Sequence, residues 1–276
     1  MSTTPVGPEA PVTSTAPAGS VAAEQSAEPA GLTGPTARER VVVIGGTSGI
    51  GLATAQRQVR DGRSVIVTGR DKARLDAALA RLGEGATGAS VDASDEDATR
   101  AFFAALGPVD HVVVAVTGNT AAGPFAGLPI DELRAATEGK LVAQTVAAQA
   151  ALQVLRPGGT LTFVTAGSSG AAIPGTAGLA AVNAAVEAMV PVLAVELAPI
   201  RVNAVSPGII DTPWWDWMDA DTRRQTFASY AESAPAGRVG RPADIADAIA
   251  FLITGTFTTG VVLNVDGGAR LRPAAL

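Results

Sequence analysis

At 276 residues, 47% hydrophobic and 17% charged, the chain has apolar material for one domain that buries roughly three quarters of its unfolded surface. A net charge of −6, with no Lys/Arg cluster to override it, opposes nucleic acid and anionic lipid as partners. The absence of cysteine excludes disulfides, thiolate metal sites and cysteine nucleophiles, and the single histidine, His111, excludes a multi-histidine metal cluster, so no metal is expected.

Residues 1 to 37 hold no aromatic residue, no Lys and no Arg, and are rich in Ala, Pro, Ser, Thr and Gly. Such a composition does not offset its ordering entropy, so a disordered tail is expected. Pro5, Pro8, Pro11 and Pro17 interrupt any apolar secretory segment; export is not expected and the cytoplasm is the expected compartment. Mean hydropathy is high at +0.28, yet Gly, Pro, Ser, Thr or Gln interrupts every long uncharged stretch before about 18 residues, and no membrane span is expected.

From residue 38 to 276 apolar runs alternate with helical stretches. Strands are predicted at 41–44, 64–68, 89–91, 112–116, 160–165, 201–205 and 261–265. Helices are predicted from about residue 50 to 60, then over 72–82, 95–106, 130–155, 176–196 and 243–252. This rhythm predicts a single doubly wound α/β domain of Rossmann type, with a parallel sheet of about seven strands, helices on both faces, and ligands at the carboxyl ends of the strands. No charged residue lies between Lys140 and Arg156 or between Arg156 and Glu187, so the two long helices lack a solvated stripe. A homodimer or homotetramer using these helices is expected; the bland alternative is an alanine-rich surface tolerated in a monomer.

The strand at 41–44 runs directly into Gly45-Gly46-Thr47-Ser48-Gly49-Ile50-Gly51 and then a helix. At such a turn Gly45, Gly49 and Gly51 admit close approach of a pyrophosphate, and the backbone of Thr47, Ser48 and Ile50 offers it free N–H groups at a helix N-terminus. After the second strand, where NAD-preferring sites place an acid for the ribose hydroxyls, the chain carries Arg70. A 2′-phosphate would meet that guanidinium, so NADP(H) is expected over NAD(H), unless Arg70 only begins a solvated helix.

Together with Val91-Asp92, Ala198 to Asn203, Ser206-Pro207-Gly208 and Val265 to Gly268, the glycine loop resembles the motifs of the short-chain dehydrogenase/reductase family over about residues 41–268. The resemblance implies that Asp92 contacts adenine and that Pro207, Gly208, Ile209 and Thr212 line the nicotinamide side. Where the family carries Asn-Asn-Ala-Gly, this chain reads Val114 to Asn119, and Gly118 and Asn119 are assigned the backbone surface near the ribose.

The family's chemistry uses a serine to position the carbonyl, a tyrosine as general acid/base, a lysine that lowers the tyrosine pKa and an asparagine that holds a relay water. The corresponding positions here are Ala166, Leu179, Asn183 and Lys140, a divergence that lacks the usual catalytic residues. Lys and Asn have exchanged places, and a partly buried lysine beside a cofactor titrates closer to neutrality. Lys140 and Asn183 are therefore the candidate replacement catalysts; the alternative is a Lys140 that reaches solvent or pairs with Glu138 or with an acid across an interface. Thr165 and Ser168, with Ser169 beside them, are candidates to orient a carbonyl, although such residues commonly cap turns. Trp214, Trp215 and Trp217 cluster where the family has a substrate lid, which suits an apolar small-molecule substrate and equally suits lid packing.

The expected function is NADP(H)-dependent reduction or oxidation of an apolar carbonyl or alcohol through a non-standard site. A cofactor-binding regulatory or assembly protein and a non-redox isomerase or dehydratase are the alternatives.

Overall fold

The computed structural model describes residues 38–118 and 120–271, so the expected tail and Asn119 lie outside the described residues. Strands β1 (Arg40–Ile44), β2 (Ser64–Gly69), β3 (Ala86–Ser90), β4 (Val109–Val114), β5 (Leu155–Val164), β6 (Arg201–Pro207) and β7 (Val262–Val265) form one sheet. Their order is β3-β2-β1-β4-β5-β6-β7 and every pairing is parallel. The central strands β1, β2 and β4 are rich in buried valine and isoleucine on both faces, as a sheet covered on both sides requires. Val42, Ile44, Val112, Val114, Leu161 and Phe163 point to one layer. Val41, Val43, Val65, Val67 and Val113 point to the other.

The first layer holds α3 (Glu96–Ala105), α5 (Ala143–Ala151) and α6 (Ala177–Glu196). The second holds α1 (Gly49–Arg60), α2 (Lys72–Leu82) and α8 (Pro242–Thr254). Winding reverses between β1 and β4, which opens a crevice at their carboxyl ends.

Three features depart from the sequence expectation. The helix expected over 130–155 is instead α4 (Ile130–Ala136), a π-helical segment (Thr137–Val142) and α5, and β5 starts at Leu155. Pro157 and a positive φ at Gly158 keep that stretch from helix. A further helix, α7 (Ala220–Ser233), follows the tryptophan cluster, its first turn capped by the Asp219 carboxylate. Helix α6 has the length and mean hydropathy, 1.8, of a membrane-crossing segment, against the expectation of none. It serves here as the crossover between β5 and β6, with Val182, Val186 and Val190 buried at a spacing of one turn.

The two uncharged helices also differ from one another. Nearly all of α5 is buried between the sheet and α3, so its apolar character is satisfied within the chain. On α6 the residues Ala181, Ala184, Ala188, Val192 and Val195 remain exposed along one stripe. His111, the third residue of β4, lies away from the ligand end as expected of a structural histidine. Its Nδ1 is 3.0 Å from Thr160 Oγ1, and burial holds the imidazole below its usual pKa against the pull of Glu39.

Candidate active site

The carboxyl-end loops converge at the crevice. Gly45, with φ of 81°, passes so close to the loop after β4 that a Cβ there would sit 3.0 Å from the Ala115 carbonyl carbon. A Cβ on Gly51 would collide with the Gly45 carbonyl oxygen, so the first turn of α1 and the loop can pack only with glycine at that position. Thr212 lies beside Gly49, which brings the loop after β6 onto the phosphate loop.

Helices α2, α3 and α7 each begin on an aspartate carboxylate that accepts first-turn N–H groups. Ser48 begins α1 without a side-chain cap, and the first intrahelical bond there is donated by the Leu52 N–H to the Ser48 carbonyl. The free N–H groups before it are the donors a pyrophosphate requires. Asp92 sits beyond β3 with Oδ1 accepting the Ser94 hydroxyl at 2.7 Å and the Ser94 N–H at 3.0 Å. Those two bonds, helped by the field of Arg70, hold its carboxyl below the usual range and ionised. Arg70 itself is exposed at the end of β2, and its guanidinium bonds no side chain among the described residues. The Gly118 carbonyl is already engaged: Trp214 Nε1 donates to it at 3.0 Å and the Thr117 hydroxyl at 3.2 Å. Gly118 thus anchors the segment that carries Trp214 through its carbonyl.

Of the residues expected at the family's catalytic positions, Ala166 starts the short turn Gly167–Ser169 after β5, and Leu179 is half-buried in the first turn of α6. Asn183, 3% exposed, donates from Nδ2 to the Leu179 carbonyl at 2.8 Å and to Ser168 Oγ at 3.4 Å. Its Oδ1 is buried without a donor. A buried unpaired acceptor at this position fits a ribose hydroxyl, and with the glycine cradle it makes the crevice suited to a nicotinamide dinucleotide. Ser168 Oγ accepts from Asn183, and its own proton meets no acceptor among the described residues.

Lys140 and Asn183 do not hydrogen-bond one another. Lys140 is 6% exposed within the π segment, so it does not reach solvent. Burial lowers its pKa to about 8, with Glu187 rather than Glu138 supplying the opposing attraction. Such π segments recur at functional positions. Thr165, expected as a carbonyl-orienting hydroxyl, is buried and donates to Glu187 Oε1 at 2.6 Å, with the Val205 carbonyl 3.2 Å away. Its single proton is taken, and it belongs to the support behind the site. Ser169 likewise donates to Glu187 Oε1, at 2.7 Å.

Sequence reasoning missed Glu187 and Gln144. Glu187 was signalled as a lone charge in an otherwise apolar stretch, one turn beyond Asn183. Gln144, fully buried one turn after Lys140, donates from Nε2 to the carbonyls of Val116 and Val164 at 2.9 and 3.0 Å and so ties the loop after β4 to β5. Nothing in its sequence context distinguishes it from a surface glutamine.

The lid tryptophans pack edge to face, Trp214 on Trp215 at 4.6 Å and on Trp217 at 6.2 Å between ring centroids. Trp215 Nε1 donates to the Ile210 carbonyl at 2.9 Å. Tyr230, the only tyrosine, donates to the Asp266 carbonyl at 2.7 Å and lies against Gly208, where a Cβ would strike its hydroxyl. Burial raises its pKa, which suits a structural bolt and opposes an acid/base role.

A doubly wound sheet with a glycine-rich turn and an open helix N-terminus at its reversal point defines a dinucleotide-binding protein. Residues 45–270 match the profile of the family described as Enoyl-(Acyl carrier protein) reductase. The chain is 30% identical to Short-chain dehydrogenase/reductase ATR9 of Stachybotrys chlorohalonatus, over 86% of this chain and 100% of that one. It is 32% identical to the cis-4-hydroxycyclohexanecarboxylate dehydrogenase of Sinomonas cyclohexanicum, over 83% and 96%. A small-chain dehydrogenase crystallised with NADPH superposes with a TM-score of 0.75 at 34% identity, over 86% and 100%. The chain belongs to the short-chain dehydrogenase/reductase family of oxidoreductases.

Proposed function

We propose that this protein is a cytoplasmic, homo-oligomeric, NADP(H)-dependent oxidoreductase that interconverts an apolar carbonyl and its alcohol, with Lys140 in place of the family's tyrosine as proton carrier. The observation that carries this reading is the burial of Lys140 in the π segment, where its ammonium has a pKa of about 8. Such a group gives up a proton near neutral pH, as an ordinary surface lysine does not. The relative acting on cis-4-hydroxycyclohexanecarboxylate and the tryptophan-lined lid both favour an alicyclic or otherwise apolar substrate.

A bound nicotinamide dinucleotide would supply or accept the hydride. The chain's own residues supply the rest. The glycine-rich loop and the α1 N-terminus would hold its pyrophosphate, Arg70 a 2′-phosphate, Asp92 the adenine, Asn183 Oδ1 a ribose hydroxyl, and the loop from Pro207 to Thr212 the nicotinamide side. Ser168 donates its hydroxyl proton to orient the substrate carbonyl. Lys140 delivers a proton to that oxygen in reduction and takes one from the alcohol in oxidation.

The sign of the pH dependence follows. Reduction uses the ammonium, so its kcat falls as pH rises through about 8; oxidation uses the free amine and rises through the same window. Purified enzyme assayed in both directions against cyclic ketones and alcohols tests this, with Lys140→Met as the control. The variant is expected to lose roughly a hundredfold to ten-thousandfold in kcat. Parent-like turnover in Lys140→Met would remove Lys140 from the mechanism, and product formed without net cofactor turnover would identify a non-redox reaction.

A further inference from the structure

The site described above leaves the Glu187 carboxylate without a task, although it is built into the same corner. Helix α6 packs against the π segment that carries Lys140. Glu187 is half-buried there, and two hydroxyls from the end of β5 and the following turn, Thr165 and Ser169, both donate to its Oε1. Its Oε2 accepts no hydrogen bond among the described residues. Lys140 and Glu187 form no direct ion pair, so their attraction acts through space.

The other charges near Lys140 are directed outward. On α4, Asp131, Glu132 and Arg134 are exposed, with Arg134 paired to Asp131 at 2.6 Å. Glu138 in the π segment and Glu196 at the end of α6 are exposed, and α5 carries no charge. Glu187 is therefore the one charged group on these packed elements that is not exposed, and it is the one whose charge acts on the ammonium.

We propose that Glu187 is the positioning counter-ion of the proton-transfer step: fixed by Thr165 and Ser169, it keeps the buried Lys140 protonated while standing far enough away not to lock it. This rests on the reading of Lys140 as proton carrier. A closed buried pair would hold the proton on the lysine and restrain its side chain; a carboxylate one step removed stabilises the ammonium and leaves it free to give the proton to a substrate oxygen. The proton lost in each reduction is regained from solvent, and no other co-reactant is required.

The chain contains two lysines, Lys72 and Lys140, so protein labelled with 13C-lysine gives two 13Cε signals that the Lys140→Met variant assigns. The Lys140 signal is titrated in the cofactor-free protein, parent against Glu187→Gln, a near-isosteric change that retains an acceptor for both hydroxyls. The midpoint is expected to fall by about one pH unit on loss of the opposite charge. The pH at which reductive kcat is half lost falls with it, and Glu187→Asp, which keeps the charge, lies between the two. An unshifted midpoint in a folded Glu187→Gln protein, or in Glu187→Ala where Glu187→Gln does not fold, overturns the proposal. A shifted midpoint beside parent-like turnover in Lys140→Met also overturns the catalytic role, and traces the failure to the reading of Lys140 rather than to its counter-ion.

Discussion

Arg70 illustrates how much one side chain decides. It stands just beyond β2, is exposed, and bonds no other side chain among the described residues, so its guanidinium is available to a 2′-phosphate. A charge-assisted bond to that group contributes about 1.5–3 kcal/mol, or roughly tenfold to a hundredfold in affinity. Arg70→Ala is accordingly expected to weaken NADPH by that factor and leave NADH within about twofold, read by parallel calorimetric titrations; equal losses for both cofactors would remove Arg70 as the discriminator. The residue was legible in the sequence because its position after the second strand is set by local chain order. Glu187 was not, since its relation to Lys140 arises only where α6 meets the π segment.

At the scale of elements, the lid is fastened rather than loose. The turn before α7 places Trp214 so that its indole N–H reaches the Gly118 carbonyl in the loop after β4, a latch spanning the crevice. Loss of a single neutral hydrogen bond of this kind costs about 0.5–1.5 kcal/mol. Trp214→Phe keeps an aromatic ring and removes the donor, so KM is expected to rise about threefold to tenfold with a smaller change in kcat. A kcat loss with unchanged KM would instead place Trp214 in the chemical step. The π segment makes a related point: residues 130–155 read as one continuous helix by composition, yet the chain divides into α4, the π turn and α5. Helical periodicity alone does not reveal an extra residue in one turn, because the same apolar side chains satisfy either winding until the sheet is in place.

For the whole molecule, the stripe on α6 is the conspicuous surface. Val192 is 53% and Val195 79% exposed, and alanines continue the stripe toward the start of the helix. Apolar faces of this kind are commonly covered in an assembly. Val195→Asp, which places a charge on the stripe without touching the core, is expected to shift the sedimentation mass from an oligomer to the monomer. An oligomer of parent mass would move the interface elsewhere. The lack of charge on α5, which had suggested the same role, is answered inside the chain by α3 and the sheet.

By itself the sequence determined the strand and helix rhythm, the parallel doubly wound sheet, the glycine-rich strand-to-helix turn, and the absence of a tyrosine in α6. These rest on local properties: β-branched runs, glycine at a strand-to-helix turn, and the spacing of motifs along the chain. Only the tertiary structure decided that the Thr165 hydroxyl bonds Glu187, that the Gly118 carbonyl accepts from Trp214, that Tyr230 is a bolt beneath Gly208, and that Lys140 is buried. Each of these depends on which distant segments meet at the crevice. Desolvation and hydrogen-bond partners are properties of that meeting and leave no periodic trace in the order of residues.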